Sequence, residues 1–155
     1  MTDQGKFIIR VYGLILNDKN EILITDEFRH NIKMTKFPGG GLQYGESTVE
    51  CLKREFSEEC NGQEIKNIRH FYTTDFFQEA LFFDKHQLIS IYYLAELTDP
   101  IKFEISDTPF NFKKIREGSQ SFRWIKINGI NENNISFPID KFVFKKLVNA
   151  CFEKN

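Results

Sequence analysis

Hydrophobic and polar positions divide the chain into short blocks of two periods. Residues 7–16 are almost continuously apolar, the pattern of a strand buried on both faces. Asn17, Asp18, Lys19 and Asn20 form a polar turn cluster, and apolar character resumes at 21–25, so the two runs predict a β-hairpin. Residues 26–36 read as a loop, and Phe37, Pro38, Gly39, Gly40 and Gly41 break regular structure. A helix is predicted over 47–60. Ser47 and Glu50 form a capping box at its start, Val49, Leu52, Phe56 and Cys60 mark one apolar face, and Asn61-Gly62 stops it. Strands are predicted over 70–77 and 88–97, with shorter ones at 101–105 and 121–127. Residues 137–152 return to a helical period, with Pro138 in the first turn. Strands, a central helix, more strands and a terminal helix give an α+β class with a mixed sheet.

Composition narrows this picture. The 155 residues suit one domain over 1–155, and 41% hydrophobic content with 17 Phe supplies a core. A net charge of -1 argues against nucleic-acid binding, which calls for a basic excess, although bound cations would still admit a phosphorylated small molecule. Cys51, Cys60 and Cys151 form no CxxC pair, so neither a disulfide framework nor a zinc site is expected. The N-terminus lacks the apolar segment of a secretory signal, and no run is long enough to span a membrane. A cytoplasmic location is the resulting expectation. The oligomeric state stays open, a homodimer among the options.

One segment carries candidate chemistry. Glu55, Glu58 and Glu59 stand at i, i+3 and i+4, so a helix gathers them within an arc of roughly 100° beside the apolar stripe. Like charges so close repel, and a hard divalent cation with oxygen ligands would relieve them. Taken alone, the run reads as a solvated acidic face, as charge runs usually are. The wider spacing decides between the two readings. Gly40, five residues, Glu46, seven residues, then Arg54-Glu55-Phe56, one residue and Glu58-Glu59 resembles the box of the Nudix hydrolases. Looser likeness extends to the Phe37-Pro38-Gly39-Gly40 approach, the strand with Phe122, Arg123 and Trp124, and the helix start at Phe137-Pro138. The sequence departs at the end of the box, where Asn61-Gly62 replaces Gly and an aliphatic residue. Asn tolerates the left-handed backbone a Gly would take, so the helix stop is expected to survive.

The resemblance implies a Nudix-like α/β/α sandwich and a hydrolase that cuts a diphosphate bond in a nucleoside-diphosphate-linked small molecule, such as a nucleoside triphosphate, ADP-ribose or a nucleotide sugar. It implies Mg²⁺ or Mn²⁺ held by Glu55, Glu58, Glu59 and the carbonyl of Gly39. Glu46 and Arg54 orient the cluster, and Gly40 and Gly41 form a phosphate cradle. Glu55, Glu58 or the loop residue Glu117 is the candidate base, and Arg29 and Lys36 are candidate phosphate contacts. His30, His70 and His86 lack ligand spacing. Phe28 and Phe76 are candidates to stack on a base, and Trp124 is expected in the core. Specificity is expected from loops 26–36, 75–88 and 106–120. A non-catalytic nucleotide-ligand sensor on the same fold is the alternative. It would ordinarily lose box carboxylates and gain a DNA-binding domain, and this chain does neither. An isoprenoid-diphosphate isomerase would need catalytic Cys and Glu in other places, whereas Cys51 and Cys60 fall inside the box helix.

Overall fold

The computed structural model describes residues 4–129 and 131–152, so the first three positions of the N-terminus read above lie outside it. The apolar run becomes β1 (Lys6–Ile15), whose second half is buried on both faces. Alternation along it divides the core. Tyr12 and Leu14 join one cluster with Ile139, Val143 and Leu147, while Val11 and Ile15 join another with Leu52, Phe56 and Cys60. The first cluster contains residues of the terminal helix α2 (Pro138–Phe152), and the second contains residues of the central helix α1 (Thr48–Glu59). The two helices therefore cover opposite faces, an α/β/α sandwich in the α+β class. Gly13 permits the closeness of α1, because a Cβ there would lie 3.1 Å from Phe56 Cε2.

Two sheets form the middle layer. One has β1 parallel to β6 (His86–Leu97), flanked by β4 (Gly39–Gly41) and β5 (Ile65–Thr73), in the order β4-β1-β6-β5. The other, β3-β2-β7, comprises β3 (Ile32–Lys36), β2 (Glu21–Arg29) and β7 (Ser119–Lys126), and is antiparallel throughout.

The structure corrects five expectations. The predicted hairpin of 7–16 with 21–25 does not form: one bridge, Leu16 with Ile22, turns the corner, and the two strands then enter different sheets. The expected loop 26–36 is instead the end of β2 and all of β3. Its turn is made by His30 and Asn31 at φ 52° and 60°, a left-handed pair that normally signals itself through Gly. The glycines at 39–41 form β4, pairing with Arg10 to Tyr12. Residues 101–105 form no strand, and only Ile105 bridges to Phe122. The predicted strand 70–77 also shifts, with β5 beginning at Ile65 and ending at Thr73. Trp124 is half-buried and packs against the α1-side cluster.

The box helix forms where its residues predicted. Ser47 accepts from the N–H of Glu50, whose carboxylate accepts from the N–H of Ser47. At the far end Asn61 takes φ 54°, and the N–H of Gly62 returns to the carbonyl of Ser57 at 2.8 Å. Among the described residues no helix is long and apolar enough to cross a membrane.

Candidate active site

α1 places Arg54 and Glu55 on its sheet-facing flank, against β4 and the loop that follows it. Arg54 is the hub. Its Nε and Nη2 donate to the two oxygens of Glu46, each at 2.8 Å, a bidentate pair fixed by the planar guanidinium. Nη2 also donates to the Gly41 carbonyl at 3.0 Å, and Nη1 reaches Glu55 Oε1 at 3.0 Å and Glu58 Oε2 at 3.2 Å. The hydrogen bonds from Arg54, aided by the backbone N–H of Gln43, pull the Glu46 carboxyl down to about 2. Gly40 has a steric reason to be glycine, since a Cβ there would fall 2.3 Å from the carboxyl of Glu55. Gly39 sits at φ +152° with β1 backbone directly beneath, 2.1 Å from where its Cβ would stand.

These residues open onto a cleft of about 400 Å³ at the seam between the two sheets, closed at one end by the start of α2. Glu55, Glu59 and the three glycines line it. Facing them is a buried charge system. Glu27, 1% exposed, accepts from Arg29 Nε at 2.9 Å and lies 3.0 Å from the Lys36 ammonium. Burial works to lower the Lys36 pKa, but Glu27 and Tyr12 together more than offset it, and the ammonium is held above its usual range. Glu59 is pushed up to about 7, chiefly by burial, while Gln120 Nε2 donates to it at 3.3 Å. Deeper in, Tyr92 donates to Asp140 Oδ1, and Asp140 Oδ2 has no hydrogen-bond partner. Burial raises that carboxyl to about 6. The rim is apolar, with Leu81, Phe82 and Phe83 from the loop before β6 and Phe137 from the start of α2. His30 stacks on Phe82 at 4.3 Å.

The sequence-predicted residues are thus partly gathered. Gly39, Gly40, Gly41, Glu55, Glu59, Arg29 and Lys36 share the cleft, and Glu46 and Arg54 stand behind it. Arg29 and Lys36 are both bound to Glu27, and the Gly41 carbonyl is taken by Arg54. Glu58 points outward with 59% of its side chain exposed. Among the described residues no three acidic, His or Cys side chains converge tightly enough to enclose a cation. Glu117 lies apart: its carboxylate accepts from the N–H of His30 at 3.0 Å, closing the β2–β3 turn, and it lines a neighbouring cleft. Phe28 and Phe76 are not in the wall, whereas Phe82 and Phe83 are. Glu27, Arg10, Tyr12, Tyr92 and Asp140 were not singled out from sequence. The available signal was a charge interrupting apolar periodicity, Arg10 inside the first run and Asp140 inside the last helix.

Comparison with known proteins agrees with this arrangement. The NUDIX domain profile matches residues 6–144. A solved MutT described from Aliivibrio salmonicida and Vibrio cholerae is 29% identical, with 94% of this chain and 98% of that one covered at a TM-score of 0.62. A NUDIX hydrolase from Nitrosomonas europaea (16% identity, 92% and 90% covered, TM-score 0.65) shares the fold. A MutT NUDIX hydrolase from Burkholderia pseudomallei (13% identity, 90% and 97% covered, TM-score 0.65) does so too. Comparison with curated protein sequences gives no match. With the profile spanning most of the chain and the box assembled from β4, the loop after it and α1 beside a cleft, the protein belongs to the Nudix family and is a pyrophosphohydrolase of that type.

Proposed function

We propose that this enzyme hydrolyses a diphosphate bond in a nucleoside-diphosphate-linked small molecule, using Mg²⁺ or Mn²⁺. The observation that carries the reading is the Arg54 hub, which sets Glu46, Glu55 and Glu58 in one network directly under Gly40 at the mouth of the cleft. The donor set suits a hard divalent ion: carboxylates of Glu55, Glu58 and Glu59 and the carbonyl of Gly39 are all oxygen ligands. The near-contact between Gly40 and the Glu55 carboxyl keeps side-chain bulk away from that oxygen-rich corner. Glu58 is exposed enough to turn toward the cleft. When bound, such an ion supplies charge neutralisation at phosphate oxygens and acidifies a water.

The chain's own groups divide the remaining work. Arg54 orients Glu55 and holds Glu46 ionised behind it. Glu55 or Glu58 takes the proton from the attacking water. Glu117 is tied to the hairpin turn and lines the neighbouring cleft, which favours the helix residues for this task. The aromatic rim formed by Phe82 and Phe137 suits a flat ring, and the unpartnered oxygen of Asp140 suits an N–H donor on it. Together these favour a nucleoside at the α2 end and the diphosphate at the helix end.

The test is a panel of nucleoside triphosphates, ADP-ribose, nucleotide sugars and diadenosine polyphosphates with Mg²⁺ or Mn²⁺, followed by phosphate or monophosphate release. Glu58→Gln and Glu59→Gln should each lower turnover on the preferred substrate by about a hundredfold or more, with unchanged circular dichroism. Full activity in both purified variants would remove the assignment.

A further inference from the structure

Two of the three Lys and Arg side chains in the cleft are engaged, since Arg29 and Lys36 share the carboxylate of Glu27. Arg10 differs. It lies in mid-strand, opposite Gly41 on β4 and Ser90 on β6, and alternation puts its side chain on the cleft face with Ile8 and Tyr12. Its Nε donates to Tyr12 Oη at 2.7 Å, and its guanidinium carbon stands 5.6 Å from the centre of the Tyr12 ring. One residue therefore fixes the guanidinium twice over. Tyr12 is itself held by the core, stacked on Tyr92 at 5.2 Å.

The terminal nitrogens are unspent. Among the described residues, neither Nη1 nor Nη2 of Arg10 has a hydrogen-bond acceptor. That leaves four N–H donors open on a half-buried cation whose carboxylate neighbours are committed elsewhere, Glu27 to Arg29 and Lys36, and Glu55 to Arg54. Tyr12 first, and then Glu27 and Glu55, hold Arg10 firmly in its charged form. A partly desolvated guanidinium with an empty fork is costly unless an anion fills it, and two parallel N–H donors match two oxygens of a phosphate.

We propose that Arg10 is a phosphate-binding residue of this cleft, its Nη1 and Nη2 fork taking two non-bridging oxygens of the phosphate that stays with the nucleoside when the diphosphate is cut. This rests on the hydrolase reading and adds a contact independent of any divalent ion. Arg10 shares the cleft with the box carboxylates and Asp140, and its charge acts on both Glu55 and Asp140, so a phosphate between the two ends would meet it.

The test is equilibrium binding in the presence of a chelator, by calorimetry, using the four ribonucleoside 5′-monophosphates and their nucleosides as probes. For the best-bound base, the wild type should hold the monophosphate about tenfold or more tighter than the nucleoside. Arg10→Ala should shrink that ratio to within about twofold while leaving nucleoside affinity unchanged, which also reports an intact pocket. Arg10→Lys, a point charge without the fork, should recover only part of the ratio. An undiminished ratio in Arg10→Ala, or full recovery in Arg10→Lys, overturns the fork assignment, as does a wild type that binds monophosphates no better than nucleosides. Hydrolysis of the substrate panel is scored separately. An inert wild type that still shows the Arg10-dependent ratio refutes the hydrolase reading alone, and an active one lacking the ratio refutes Arg10 alone.

Discussion

Asp140 shows how one buried carboxyl shapes a site. It is 2% exposed, receives the Tyr92 hydroxyl at one oxygen and leaves the other unfilled. Burial lifts its pKa from 3.8 to about 6. Its folded value lies above that of the unfolded chain, so the proton is bound more tightly in the native state. The resulting stabilisation is complete below about pH 4 and is lost as pH rises through about 6. Above that, the native state must carry a charge at a site that solvates it poorly. Asp140→Asn has no such charge and keeps an acceptor for Tyr92. Its stability relative to wild type should therefore rise by roughly 2–3 kcal/mol between pH 4 and pH 8. Urea denaturation of both proteins at the two pH values reads this directly. An equal difference at both would mean that the carboxyl titrates normally.

At the scale of elements, the site depends on how closely β4 meets α1. The Gly40 Cα faces the Glu55 carboxyl with no room for a methyl group, the far end of that side chain being 2.3 Å from the Cβ position. In Gly40→Ala the carboxylate would swing away, because it is flexible and the strand is not. Loss of the Arg54–Glu55 bond should then lower turnover about a hundredfold, while the melting temperature moves by only a few degrees. Steady-state kinetics beside a thermal melt separates the two effects, and equal activity would show that Glu55 tolerates displacement. α1 itself was legible because local chemistry marks both of its ends, the capping box at Ser47 and the left-handed Asn61. The β2–β3 hairpin was not, since His30 and Asn31 adopt positive φ without a glycine to announce it. β4 was hidden for the opposite reason: three glycines read as a break, and only pairing with β1, about thirty residues away, makes them a strand.

The same division holds for the whole molecule. Arg54, Glu55, Glu58 and Glu59 of the box were readable because one helix carries them at fixed spacing. The opposite wall of the cleft comes from four separate stretches of chain, and no local pattern links Arg10, Glu27, Tyr92 and Asp140. What joins them is the seam where the two sheets meet. There Glu27 on β2 pairs with both Arg29 and Lys36, and the Lys36 ammonium hangs 5.7 Å from the ring of Tyr12 in the other sheet. Removing the carboxylate charge should cost far more than an exposed ion pair would, because Lys36 is 6% exposed and would keep a cation without a counter-ion. Glu27→Gln is expected to lose about 3–5 kcal/mol at pH 7. Part of that loss should return as pH rises toward 10, since the stranded ammonium, its pKa now below that of the unfolded chain, can shed its proton. Adding Lys36→Met to Glu27→Gln should recover most of the stability at pH 7, leaving only Arg29, which is exposed enough to turn to water. Chemical denaturation of the four proteins of this cycle measures the coupling. Simple additivity, with the double variant no more stable than Glu27→Gln, would show that the seam is held by packing alone and that its buried charges serve only the ligand.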